Sequence, residues 1–91
     1  MMVTANEVQK AVIDNNINVI PHHECAICGE WVAYEVYNKQ LFFNSNCGCS
    51  SFWSPVILCS WQDAADFINM QSNPRVRVEI ASLFGLTISC E

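Results

Sequence analysis

The stretch CAICGEWVAYEVYNKQLFFNSNCGC, residues 25–49, decides how this chain is read. It opens with Cys25 and Cys28 as a C-x-x-C followed at once by Gly29, and closes with Cys47 and Cys49 as a C-x-C around Gly48. Between the pairs, Trp31 to Tyr37 alternate and are rich in aromatic and β-branched residues, Asn38-Lys39 supplies a turn, and residues 41–43 begin a return arm. A β-hairpin brings its two ends together, so the cysteine pairs at its base are expected to meet. Two thiolates on a tight turn can both reach one ion at about 2.3 Å. Gly29 and Gly48 fit because the backbone must curl toward the metal, often with positive φ. The expected ligands are therefore Cys25, Cys28, Cys47 and Cys49, with Zn as the cofactor.

Disulfides and redox chemistry account for the cysteines less well. A disulfide framework needs an oxidising compartment, and the opening MMVTANEVQK has neither the basic nor the apolar region of a secretory signal. A thioredoxin-like C-x-x-C should open a helix, but the residues after Cys28 alternate like a strand, and redox chemistry leaves Cys47 and Cys49 without a role. Cys59, in the apolar run 56–59, reads as a buried thiol acting as a small hydrophobe, and Cys90 as an exposed thiol. His22 and His23 just precede the first pair and could replace a cysteine. The favoured reading is a solvated loop pair after Pro21 or a donor to a thiolate.

Working outward, Thr4-Ala5-Asn6-Glu7 is a capping box, and Val8, Ala11, Val12 and Asn15 recur at helical spacing until Asn15-Asn16 ends the helix. Residues 17–20 read as a short extended segment before Pro21. Residues 56–58 read as a third strand, with Pro55 suiting an edge. Ser60 caps a second helix, with Asp63 in its first turn, and Trp61, Ala64, Ala65, Phe67 and Ile68 on one face. Asn73-Pro74 opens a third helix whose stripe is Val76, Ile80, Leu83 and Phe84, and Gly85 is its stop. The expected fold class is α+β: an N-terminal helix, a zinc-ribbon-like hairpin with a third strand, and two C-terminal helices. Residues 1–86 make a single zinc-binding domain and residues 87–91 a loose tail.

Composition narrows the function. At 91 residues, 52% hydrophobic, the chain suits one folded domain. Nine acids oppose four bases, Lys10, Lys39, Arg75 and Arg77, for a formal charge of −5. That balance disfavours nucleic acid, which needs clustered cations. No apolar run is long enough to span a membrane, so a cytoplasmic protein is expected. Enzymatic motifs are missing too. His22-His23-Glu24-Cys25 superficially resembles a zinc deaminase signature, but there H-x-E and P-C-x-x-C lie on separate elements. Four cysteines would close the coordination sphere and leave no position for a water. No nucleophile elbow, P-loop, dinucleotide fingerprint or H-E-x-x-H occurs.

Tyr34, Tyr37, Phe42, Phe43, Phe52 and Trp53 could stack on bases if exposed, but stacking platforms work beside a positive groove. The hairpin carries Lys39 against Glu30 and Glu35. Protein binding fits better, with Tyr37, Trp53 and Trp61 as anchors and Glu24, Glu30, Glu35, Asp63 and Asp66 as acids that could dock on a basic partner.

Over nearly its whole length, up to Leu86, the chain resembles a group of short uncharacterised accessory proteins of tailed phages and prophages. The matching features are the T-A-N-E-V opening, the HH-x-C-x-x-C-G and C-x-C knuckles, the segment WQDAADFINMQSNP at 61–74 and the ending Phe84-Gly85-Leu86. Residues 87–91, with Cys90, depart from that pattern. The resemblance implies no established activity. It implies a phage accessory product, a class rich in anti-CRISPR and other inhibitors of host machinery. The expectation is a non-enzymatic, acidic zinc protein of the host cytoplasm that binds and inhibits or redirects a host protein, for example within a nucleic-acid-handling complex. The alternative is a nucleic-acid-binding zinc ribbon in transcription or replication, and a thiol oxidoreductase is a third reading.

Overall fold

Three helix starts are written in short-range chemistry, and a computed structural model, describing residues 2–49 and 52–89, realises all three. Helix α1, Ala5–Asp14, is closed by a reciprocal capping box: the Thr4 hydroxyl accepts from the Glu7 amide at 3.2 Å and the Glu7 carboxylate accepts from the Thr4 amide at 3.0 Å. Strands β1 (Val19–Glu24), β2 (Trp31–Tyr37), β3 (Gln40–Asn44) and β4 (Ile57–Cys59) follow. Helix α2, Trp61–Asn69, has its own capping box between Ser60 and Asp63. Asp63 thus does more than sit at the positive end of the helix. Helix α3, Pro74–Leu83, starts with Asn73 accepting from the Arg75 amide at 3.0 Å and Pro74 in the first turn.

Two helices end alike. After α1 the amides of Asn16 and Ile17 donate to Ile13 and Val12, with Asn16 at φ 53°. After α3 the amides of Gly85 and Leu86 donate to Ser82 and Ala81, with Gly85 at φ 81°. Both are Schellman ends, which need a left-handed residue just past the helix. Gly85 is doubly constrained. A Cβ there would fall 2.8 Å from the Asn15 side-chain nitrogen and 3.2 Å from the Ala11 carbonyl oxygen, so the two helix ends meet at this glycine.

The sheet is antiparallel in the order β1-β2-β3-β4. Asn38 and Lys39, at φ 50° and 62°, form the two-residue turn of the β2–β3 hairpin. The third strand predicted from the sequence is β4, at one edge. The opposite edge differs from expectation. Instead of a short segment stopping at Pro21, β1 runs on through Pro21, His22, His23 and Glu24, with a register shift between Pro21 and His23. An edge strand tolerates a proline because one side needs no ladder hydrogen bond, and the bulge absorbs the mismatch.

Residues directly paired across strands share a face. Ile20, Tyr34 and Leu41 point toward the helices and join Val8, Val12, Ala64, Ala65, Ile68, Ala81 and Phe84 in one buried cluster. The expected α3 stripe holds at Phe84, in the core, and at Ile80, packed against it, and is corrected at Val76 and Leu83. Ala81 and Phe84 are fully buried, whereas Val76 and Leu83 are 36% and 42% exposed, so α3 meets the core chiefly through its C-terminal turn. The chain entrance is tied down by Asn69, whose side chain exchanges two hydrogen bonds of 2.9 Å with the Val3 backbone. Residues 87–89 have no helix or strand, yet Ile88 packs against the core rather than hanging loose. No helix among the described residues is long and apolar enough to cross a membrane.

Candidate metal centre

The site is built where β1 gives way to β2 and where β3 ends. Glu24 is the last residue of β1 and pairs with Trp31, the first of β2. The chain between them curls into a turn in which the Cys25 amide donates to the Glu30 carbonyl at 2.7 Å and the Gly29 amide to the Cys25 carbonyl at 3.0 Å. Gly29 makes this possible at φ 75°. On the other side, Asn44 and Asn46 shape the exit from β3. The Asn44 side-chain oxygen accepts from the Asn46 amide at 3.0 Å, and Asn46 clasps Ser54 through two further bonds of 2.6 and 2.8 Å. Cys47 follows directly.

The four cysteines expected to meet do so: the sulfurs of Cys25, Cys28, Cys47 and Cys49 all lie within 4.8 Å of one another. Cys47 and Cys49 are 3.2 Å apart, Cys25 and Cys49 3.4 Å, and Cys25 and Cys47 3.7 Å. A disulfide would bring two sulfurs to about 2.05 Å. A tetrahedron of sulfurs around an ion with bonds of about 2.3 Å has edges of roughly 3.8 Å. The cluster is close to the second geometry, and its cysteines are free thiols. These four residues can hold a metal ion.

The positive φ expected of Gly48 does not occur, and its one close neighbour is the movable end of the exposed Glu30 side chain. A Cβ on Gly48 would fall 2.6 Å from a Glu30 carboxylate oxygen. The first turn therefore lays an acid across the second.

The thiols are electrostatically unequal. Backbone amides of Cys28 and then Ile27 donate to the Cys25 sulfur and, with the other thiols, bring its pKa down to about 6. Hydrogen bonding with Cys47, and then with Cys25 and Cys28, pushes Cys49 up to about 12. A metal must displace the protons, so binding weakens as pH falls, and Cys25 is the later of the two to be reprotonated. A titration from about pH 7.5 to 5, with released metal read by a chromogenic chelator, is expected to show loss on the acid side only.

The remaining candidate residues lie elsewhere. Cys59 is in β4, its sulfur 3.6 Å from the Ile57 carbonyl, and burial pushes its thiol up. It is half-buried rather than fully enclosed. Cys90 lies outside the described residues. The loop reading of His22 and His23 is corrected: both are in β1, and neither joins the sulfur cluster. The His22 ring stacks on Phe67 at 4.3 Å and meets Phe43 and Tyr34 edge-on, while its Nδ1 lies 2.8 Å from that of His23. Burial first, and then His23, lower the pKa of His22. Its role is aromatic packing between sheet and α2.

The expected partner-binding residues divide. Tyr37 and Trp53 are exposed, at 57% and 74%. Trp61 is not: it is half-buried against the core, and its indole N–H donates to the Lys39 carbonyl at 3.2 Å, pinning α2 to the hairpin turn. Tyr34 is buried in the core. Glu35 accepts from the Tyr37 hydroxyl and the Asn44 side-chain amide, and Asp63 belongs to a helix cap. Asp66 accepts from Gln62 on the outer face of α2. Glu30 stands at the metal end, over Gly48. The sequence reading misses Trp31 and Ile27, exposed at 56% and 85%. The alternation that buries Val32 and Tyr34 already implied an outward Trp31.

No family model, curated protein or solved structure matches this chain.

Proposed function

We propose that this is a non-enzymatic zinc protein whose metal orders a surface used to bind another protein. The carrying observation is the convergence of four cysteine sulfurs from two turns. Tetrahedral all-sulfur sites suit zinc or iron, and four protein ligands leave no coordination position for water or substrate. That chemistry supports a structural ion. Binding four thiolates and one divalent ion would lower the formal charge from −5 to about −7, which favours a basic protein partner over nucleic acid. The resemblance to phage accessory products extends this reading to inhibition or redirection of a host protein.

Elemental analysis of the purified protein is expected to find one zinc per chain, with no visible absorption. Iron, or no stoichiometric metal, would overturn the cofactor. Salt-sensitive retention on DNA would favour the nucleic-acid alternative instead.

A further inference from the structure

Resting on that reading, and naming the partner's chemistry, we infer that the metal-bearing end is the docking surface and that it receives a basic, apolar-bearing segment of another protein. Three large apolar side chains beside the sulfur cluster, Ile27, Trp31 and Trp53, are 85%, 56% and 74% exposed. Ile27 lies inside the first cysteine turn. Trp31 pairs with Glu24, and Trp53 precedes the Ser54 that Asn46 clasps beside Cys47. None belongs to the buried cluster, which closes without them. Exposed apolar groups gathered at one end mark interaction sites.

The charge at this end chooses the occupant. Glu24 and Glu30 are both exposed there. Among the described residues the only ion pair is Lys10–Asp14 on α1, so neither acid is neutralised by a described base. The bases stand elsewhere: Lys10 on α1, Lys39 at the far turn of the hairpin, Arg75 and Arg77 on α3. An arginine side chain satisfies both features, stacking its guanidinium on an indole while pairing with a carboxylate. A second copy of this chain would bring like charge to like charge.

The test uses a fluorescein-labelled peptide of alternating Arg and Leu, its Glu-Leu counterpart, and labelled oligothymidine, each titrated by anisotropy against the zinc-loaded protein. The Arg-Leu peptide is expected to bind, more weakly as salt rises. Trp53→Ala and Glu24→Gln should each weaken it about tenfold, as loss of an interface hot spot does, whereas Asp66→Asn on α2 should not change it. Equal weakening by Asp66→Asn and Glu24→Gln would reduce the effect to net charge and overturn the proposal, as would tighter binding of oligothymidine or of the Glu-Leu peptide. Zinc is measured on every sample. Zinc-loaded protein that fails these comparisons sinks the docking surface alone, whereas wild-type protein without zinc sinks the reading beneath it.

Discussion

Cys47→Ser is expected to abolish stoichiometric metal binding, while Cys59→Ala leaves the metal in place. The Cys47 sulfur lies 3.2 Å from Cys49 and 3.7 Å from Cys25, inside the cluster, whereas Cys59 sits in β4 outside it. A hydroxyl cannot replace a thiolate on a soft, tetrahedral site, and losing one ligand opens the shell. Structural zinc is worth roughly 10–16 kcal/mol in finger peptides. Here linkage gives the more useful scale: at free zinc a thousandfold above Kd, binding stabilises the fold by about 4 kcal/mol. For a domain of this size that is a fall in Tm of roughly 16 °C or more. The loss should be local first. β2 and β3 are anchored by Tyr34 and Leu41 in a core that contains no metal ligand. Hydrogen exchange is therefore expected to accelerate around residues 25–31 and 46–49, with α1 and α2 protected longer. Zinc retained by Cys47→Ser, or lost from Cys59→Ala, would show that the sulfurs are assigned wrongly.

The second large effect belongs to Phe84. Its ring is fully buried, among the largest enclosed side chains, and lies 5.8 Å from Tyr34 across the sheet–helix interface. Removing a buried phenylalanine costs about 3–5 kcal/mol, from lost transfer energy and the cavity left behind. Against a net stability of roughly 5–15 kcal/mol, Phe84→Ala should lower Tm by about 12 °C or more in zinc-loaded protein. Leu83→Ala is the matched control. The helical pattern puts both residues on one stripe, but Leu83 is 42% exposed, so its truncation should cost about 1 kcal/mol or less. Equal losses in thermal melts of the two variants would mean that α3 docks by a different face.

Much of this architecture is legible because it is set by neighbours in the chain. Thr4 with Glu7, Ser60 with Asp63 and Asn73 with Pro74 mark helix starts within three residues of themselves. Asn38-Lys39 sets the hairpin, and the hairpin sets the meeting of the two cysteine pairs. The candidate site is readable for the same reason: one local fold-back joins positions 25 and 49. The passage of β1 through Pro21 was hidden, because a proline is acceptable or not according to which side of the strand faces a neighbour. The approach of Glu30 to Gly48 was hidden too, since it joins two separate turns in space.

The aromatic residues divide along the same line. By itself the amino-acid order determined the caps, the turn, the two sulfur-bearing loops and the α+β class, since each depends on contacts a few residues apart or on one hairpin. Only the tertiary structure decided that Trp61 and His22 pack against other elements while Trp31 and Trp53 face outward, and that α3 buries Ala81 beside the expected Phe84 and leaves Val76 and Leu83 exposed. Burial is a property of two surfaces brought together, and the partner surface for each of these side chains comes from a distant part of the chain.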